Sequence, residues 1–478
     1  MTDLTVRTRE APTRAPTKTI SQDTVSALRA KVRGTVALPG EDGYEAARTI
    51  WNGMIHRRPA LVVRCLGAAD VINAVNLARD EQLLLAVRGG GHNIAGNAVC
   101  DGGLLIDLSL MRSVRIDPAS ATARVEPGAT LADFDKEAQE FGLVTPLGIN
   151  STTGVAGLTL GGGFGWTTRK YGLTIDNLIS ADVVTADGKL LHASGRENPD
   201  LFWALRGGGG NFGVVTSFEF KLHPLGPQVL SGLIVHPLAQ ARELLPQFSR
   251  LAKQAPDELT TWVVMRKAPP LVFLPTEWHG KDVLVFAACY AGDMKDGEKA
   301  LKALRMLGKP IADVISPHPF TAWQAAFDPL LTPGARNYWK SHDFADLSDG
   351  AINVILNSLR ELPSPECEVF IAHVGGAMAR IPGNATAYPN RDAHFTMNVH
   401  TRWQDKAQDA ACIAWARHLF EAAAPFASGS VYVNFMPEDE TDRVEKAYGT
   451  NYRRLAEIKR RYDPANLFRM NQNIRPAR

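Results

Sequence analysis

Cysteine is scarce and unpatterned in this chain of 478 residues. The five cysteines (Cys65, Cys100, Cys289, Cys367 and Cys412) are far apart and show no CxxC spacing. That argues against a disulfide framework and against a thiolate zinc site. Long apolar runs are missing as well. No stretch reaches the roughly eighteen apolar residues of a membrane helix, and MTDLTVRTREAPTRAPTKTI lacks the apolar core of a signal peptide. Neither sign of charge dominates: 52 Lys and Arg face 50 Asp and Glu, for a net charge of +2. The basic residues are scattered, so nucleic acid and anionic membranes are not expected partners. There is no GxxxxGK[ST], which argues against a P-loop NTPase, and no internal repeat. Asn-x-Thr matches at Asn150 and Asn384 carry little weight without secretion. A soluble, cytoplasmic protein is expected.

The chain is long enough for two or three domains. Its 45% apolar and 21% charged residues suit a folded protein. Residues 1 to about 35 are polar, without periodicity, and read as a mobile tail. ALVVRCL, AADVINAVNLARDEQ and LLLAV then read as strand, helix and strand. The glycine stretch RGGGHNIAG, residues 88–96, follows the second strand of that unit. GLLIDLSLM and ATARVEPG read as strands. Thr130 and Asp133 form a capping-box pattern for a helix that Gly142 ends. SADVVTADGKLLHAS reads as a hairpin turning at Asp187-Gly188. NPDLFWALRGG reads as a helix capped by Asn198 with Pro199 first, and VVTSFEFKL as a strand. Five long strand patterns fill residues 225 to about 430: LSGLIVHPL, LTTWVVMRK, DVLVFAACY, ECEVFIAHV and HFTMNVHTRW. Helices are expected near 293–307 and 404–423. The pattern is that of an antiparallel sheet with helices on one face, an α+β arrangement. SVYVNF reads as one more strand, with a charged helix around 440–461 after it.

Glycine clusters in three places: 88–96, 154–165 (GVAGLTLGGGFG) and 206–213 (RGGGGNFG). Gly208, Gly210 and Gly213 match GxGxxG. A nicotinamide-type Rossmann site needs a strand before that motif and a helix after it. The order here is reversed, so that reading fails. Glycine lets backbone N–H groups approach oxygen anions. Three such loops suit a long ligand with a diphosphate, and FAD is one.

RGGGHNIAGNAVCDGGLLIDLSLM, GVAGLTLGGGFGWTTRKYGLTIDNLISADVVTADG and NPDLFWALRGGGGNFGVVTSFEFKLHP resemble the FAD-binding segments of the berberine-bridge-enzyme-like flavoproteins. These belong to the vanillyl-alcohol-oxidase (PCMH-type FAD-binding) superfamily. VYVNF and YDPANLFRMNQNIRP resemble its C-terminal segment. The likeness covers residues 55 to 225 and 430 to 476. It implies a PCMH-type FAD domain over 36–225, a substrate domain over 226–430, and a segment over 431–478 that returns to the FAD domain.

The resemblance also implies site residues. His92 stands where the family bonds the flavin 8α carbon. A neutral imidazole can attack that carbon once the flavin tautomerises. Arg88, Gly89, Gly90, Gly91, Asn93 and Gly96 surround His92 in the first segment. Asn150, Ser151, Thr153, Gly154, Gly157, Gly161, Gly162, Gly163, Gly165 and Asn177 belong to the second. Gly213 and Val215 belong to the third, and Asn434, Asn471 and Asn473 to the last. Asn150 occupies the place of a second, cysteine-borne flavin link in some relatives, so attachment through His92 alone is expected. Thr153 holds a position that influences oxygen access.

The reaction expected is hydride transfer to flavin N5 from a small alcohol, amine, sugar or secondary metabolite, with reoxidation by O2. A dehydrogenase, an oxygenating enzyme and a non-catalytic flavin protein are the alternatives. The Tyr-x-Asn-Tyr pattern that carries a base in relatives reads Tyr432, Val433, Asn434, Phe435 here, without its second phenol. Strand alternation would put Tyr432 and Asn434 on one face. Tyr432 and His373 are the catalytic candidates. Arg391 and His400 are weaker ones. No metal is implied.

Overall fold

The computed structural model describes residues 20–478. Ser21 accepts the Thr24 N–H at 3.1 Å and opens the helix Gln22–Lys31. Val25 and Leu28, three residues apart, dock it against the helix Ala68–Asp80. Asp70 then accepts the N–H groups of Arg33 and Gly34 at 2.8 and 3.0 Å. The polar stretch expected as a tail to about residue 35 is therefore ordered from residue 22. Two buried apolar side chains and one buried carboxylate suffice to dock it. The rest of that tail, residues 1–19, lies outside the described residues.

A small sheet follows, in the order Thr35–Ala37, Leu61–Arg64, Leu104–Asp107, Leu85–Arg88. Its last three strands run parallel. The apolar run of Leu104–Asp107 is buried on both faces, as such a strand must be. A second, antiparallel sheet orders Val114–Asp117, Thr122–Val125, Val214–Lys221, Leu178–Val184 and Leu190–Ser194. Its last hairpin closes at Asp187-Gly188, where Gly188 has φ +77°. Thr130 and Asp133 form the capping box of the helix Leu131–Gln139. Pro199 begins the helix Pro199–Leu205, but Asn198 does not cap it with its side chain. Asn198 instead adopts φ +46° and donates to the His192 carbonyl at 2.7 Å.

The third sheet has eight antiparallel strands. All five long patterns are strands within it. Along it, Gln228–Pro237, Asp282–Tyr290, Leu259–Lys267, Glu368–His373, Phe395–Trp403 and Arg336–Phe344 are successive neighbours. Arg336–Phe344 was not legible, because RNYWKSHDF is mostly polar and its aromatics do not recur with a period of two. Four longer helices cover one face: Ala241–Gln254, Met294–Arg305, Asp349–Ser358 and Asp409–Ala423. Two of these matched the expected positions.

Strand periodicity divides the sheet. Val263, Met265, Leu284, Phe286, Val369, Ile371, Met397 and Val399 pack into the helix-covered core. Their neighbours along each strand face the other way.

The C-terminal segment crosses back to the first lobe. Val431, Val433, Met436, Tyr448, Leu455 and Ile474 share a core with Phe202, Leu205 and Phe212. SVYVNF is not a strand. Val433–Phe435 is a single 3-10 turn, closed by Phe435 N–H to Tyr432 O at 2.9 Å. Its polar groups are taken by a loop and not by a neighbouring strand. Gly163 N–H and Asn434 Nδ2 donate to the Tyr432 hydroxyl at 3.1 and 2.9 Å, and Asn434 also reaches Leu158 O. The helix expected around 440–461 is broken at Gly449 (φ +47°) into Val444–Tyr448 and Tyr452–Tyr462.

Candidate active site

A large cavity lies between the glycine loops of the first lobe and the helix-free face of the eight-stranded sheet. One wall comes from all three glycine clusters. Gly89, Gly90, Gly91, His92, Asn93, Asn150, Thr153, Gly154, Gly157, Gly161, Gly213 and Val215 line it, joined by Asn434 and Asn471 of the returning segment. Arg88, Gly96, Ser151, Gly162, Gly163, Gly165, Asn177 and Asn473, also expected at the cofactor, do not line it.

Most of these eight have other partners or neighbours. Arg88 donates to the carbonyls of Ala46 and Ala47. Ser151 is bound to Asp328 of the sheet lobe. Asn177 donates to Tyr171 O and Leu173 O. Gly96 packs on Ile55, Gly163 on Thr174, and Gly165 on the Leu147 carbonyl. These residues hold the loops in shape; sequence spacing does not separate a loop's lining from its support.

The lining fits FAD on grounds of its own. Gly90 and Gly154 meet backbone to backbone: a Cβ on Gly90 would fall 2.4 Å from the Gly154 nitrogen. Two glycine clusters are thereby locked together. Gly157 and Gly210 are different. Chain neighbours and local helix backbone aside, a Cβ on either would meet no atom of the described residues within 4 Å, yet both line the cavity. Packing does not require glycine there, and what the missing side chains leave is space for a ligand. Asn471 donates to Gly210 O and Phe468 O at 3.1 Å, while its Oδ1 is buried without a partner. Among the described residues, Arg266 is the only Arg or Lys in the lining. It belongs to the sheet wall, so a diphosphate on the loop side would be met by backbone N–H groups and amides.

His92 is held on both sides of its ring system. Trp51 stacks on it, with centroids 5.1 Å apart and planes 21° apart. Its Nε2 lies 3.1 Å from Thr152 Oγ1, which donates its own proton to Asn150 Oδ1 at 2.6 Å. The hydroxyl therefore accepts from His92 Nε2–H, leaving Nδ1 with the free lone pair. Burial pushes the imidazole down to about 4, so it is neutral at physiological pH.

The opposite wall is mostly apolar. Leu233, Val235, Trp262, Val264, Val285 and Phe370 contribute to it. Phe435 stands between Phe164, Trp339, Phe370 and Tyr432, with ring centroids 4.8 to 5.8 Å away. The absent second phenol is thus a ring in an aromatic box. Tyr432 lines the cavity. Burial pushes its phenol up to about 12, against the bonds from Asn434 and Gly163. It stays protonated at neutral pH and can donate to a bound ligand.

The other catalytic candidate is displaced. His373 is outside the cavity, on the helix side of its strand, one position out of phase with Glu368, Phe370 and Ala372. Its ring touches Phe395, and Nε2 accepts from Arg169 at 2.8 Å. Burial, followed by Arg169 and His394, holds it well below its ordinary value. Arg391 is also outside, in a buried pair with Asp176 at 2.7 Å. His400 does line the cavity, beside Glu368 and Arg266. Glu368, Arg266, Trp51 and Trp339 were missed by sequence reasoning. A charge inside an otherwise apolar strand pattern, as in ECEVFIAHV, was the available signal for Glu368.

Known proteins resemble this chain in sequence and fold. Residues 59–194 match the model of an FAD binding domain, and residues 431–475 match that described as berberine and berberine like. (R)-6-hydroxynicotine oxidase of Paenarthrobacter nicotinovorans is 33% identical over 458 residues, covering 93% of this chain and 97% of its own. An FAD-linked oxidoreductase of Dictyostelium discoideum is 31% identical over 450 residues, covering 93% and 95%. Among solved structures, 6-hydroxy-D-nicotine oxidase from Arthrobacter nicotinovorans has a TM-score of 0.85 at 32% identity, covering 93% of this chain and 98% of that one. BBE-like 1 of Physcomitrella patens shares the fold, with a TM-score of 0.86 at 23% identity over 95% and 99% of the two chains. Glycine loops, returning tail and sheet wall together make this chain an FAD-dependent oxidoreductase of the berberine-bridge-enzyme-like family.

Proposed function

We propose that this protein is an oxidase whose FAD is covalently attached through His92 alone, oxidising a small organic alcohol or amine with O2 as the final electron acceptor. The observation that carries the reading is His92. It is a neutral imidazole on the cavity wall, oriented by Trp51 and Thr152, with Nδ1 unprotonated. Those are the requirements of a nitrogen nucleophile. The five cysteines are free and buried, and Asn150 and Thr152 occupy the loop beside His92, so no thiol competes.

Bound FAD supplies the two-electron chemistry. The chain's own residues bind, orient and exclude water. Gly90, Gly154 and Gly157 keep the loop wall open to the cofactor. Tyr432 donates its hydroxyl proton to a ligand oxygen or nitrogen, steadied by Asn434. Thr153 contributes only a short side chain to the cavity lining, which leaves O2 a route. Free thiols suit a reducing compartment, in keeping with a cytoplasmic setting.

The test is flavin fluorescence on the protein band of an acid-denatured gel. Wild type should fluoresce and His92→Ala should not. Fluorescence retained by His92→Ala, or absent from both, defeats the attachment. Oxygen uptake with H2O2 formation, measured with whichever alcohol or amine bleaches the flavin, tests the oxidase reading.

A further inference from the structure

Three neighbouring strands bring charge into the apolar wall. Arg266 stands opposite Glu368, and Glu368 opposite His400, in the sheet register. Arg266 Nη1 donates to Glu368 Oε2 at 2.7 Å, and His400 Nδ1 lies 2.9 Å from Glu368 Oε1. All three line the cavity. Burial favours the neutral carboxyl of Glu368, but Arg266 and His400, with Arg402 behind them, hold it below its ordinary range. Arg402 is itself paired with Glu366 at 2.9 Å. The remaining neighbours of the His400 ring are Trp339 at 4.8 Å and Phe370 at 6.0 Å, both uncharged.

An ionised carboxylate can only accept. His400 therefore donates Nδ1–H to Glu368, and Nε2 keeps the lone pair. Nε2 has no hydrogen-bond partner among the described residues, and it is not sealed from open space. A histidine oriented by a carboxylate, with its second nitrogen free in a cavity, is built as a proton acceptor.

We propose that the Glu368–His400 pair is the proton acceptor of this site, and that the substrate is an apolar, ring-bearing molecule with a hydroxyl group. The proposal rests on the FAD-linked redox reading. For an alcohol, the O–H proton passes to His400 Nε2 and the C–H hydrogen leaves as hydride to FAD. The C–O bond becomes a carbonyl. The substrate loses two electrons, FAD gains them, and the imidazolium is balanced by Glu368. The ring preference follows from Trp262, Val264, Trp339, Phe370 and Phe435. A sugar's many hydroxyls would find few polar partners on this wall, since Arg266 and Glu368 already bind each other.

The probe is 4-nitrophenol, a ring-bearing hydroxyl compound whose ionisation is visible near neutral pH, titrated into the FAD-loaded enzyme. Bound to wild type it should ionise about tenfold more readily than in water, one pH unit lower, because His400 takes the proton. His400→Asn should bind it with its ordinary ionisation. Glu368→Gln, which keeps shape and a hydrogen-bond acceptor, should lose most of the shift and carries the test if His400→Asn does not fold. Equal ionisation in wild type and Glu368→Gln overturns the acceptor. Failure of 4-nitrophenol to bind wild type overturns the substrate class. Failure of the FAD reading shows separately, as the absence of flavin absorbance from the purified native enzyme.

Discussion

Replacing Asp463 by alanine would strand an ammonium inside the protein. Lys459 and Asp463 have no solvent exposure and meet at 2.6 Å. Lys459 Nζ also donates to Asn211 O at 2.7 Å and Phe468 O at 2.9 Å. Asp463 further accepts the N–H groups of Leu467 and Phe468, both at 2.8 Å. One ion pair thus ties the last helix, the third glycine cluster and the tail that lines the cavity. Removing one partner of such a pair costs about 3–5 kcal/mol, because the other charge stays buried. Lys459→Met should cost less, about 1.5–3 kcal/mol, since Asp463 keeps two backbone donors. Burial already lowers the Lys459 pKa, against the pull of Asp463. Without Asp463 it falls further. A lysine depressed in the folded state destabilises below its unfolded pKa, so the Asp463→Ala deficit should shrink as pH rises toward about 10. Thermal unfolding of the FAD-loaded variants at several pH values measures this, with flavin content as a second readout. An Asp463→Ala protein as stable as wild type, or a deficit indifferent to pH, would refute the reasoning.

Four further outcomes are expected. Gly90→Ala should fail to fold around the loops, since its Cβ would strike the Gly154 backbone at 2.4 Å. Gly157→Ala should fold but retain less flavin, because its Cβ points into cavity space. His342, stacked on Phe420 at 4.2 Å, is pushed by burial from 6.5 to about 4. Its contribution is present above pH 6.5 and lost as pH falls toward 4, about 3 kcal/mol in all; His342→Leu should flatten that part of the urea-unfolding profile. His373→Asn should leave the ionisation of bound 4-nitrophenol as in wild type, since the ring faces the helix layer. A shift lost in that variant would return His373 to the site.

The glycine clusters, the βαβ unit and the long apolar strands were legible because each rests on local chemistry. Asp187-Gly188 needs a positive φ, and Thr130 with Asp133 satisfies a helix end; both signals sit within a few residues. Contacts across the chain leave no such trace. Nothing in VYVNF shows that Gly163, some 270 residues away in sequence, would curl it into a turn. The phase of ECEVFIAHV could be read only relative to its neighbours, and His373 fell on the wrong side by one residue. Trp339 was hidden in a strand too polar to notice. His92 was found because the glycine stretch around it is distinctive in sequence, while the groups that hold its ring, Trp51 and Thr152, come from other parts of the chain.

The division of the great sheet has a bearing on how such a protein can change. Residues that hold the lobe and residues that meet a ligand alternate along the same strands, yet they occupy opposite sides of a layer one backbone thick. Val263 and Met265 keep their helix contacts whatever stands at Trp262, Val264 or Arg266. Mutation can therefore reshape the chamber at every second position while the scaffold stays intact. The loop wall has no such freedom, because Gly90 and Gly154 leave no room for a single carbon. One half of the chamber is open to drift and the other is fixed, which suits a lineage that keeps its cofactor and exchanges its substrates.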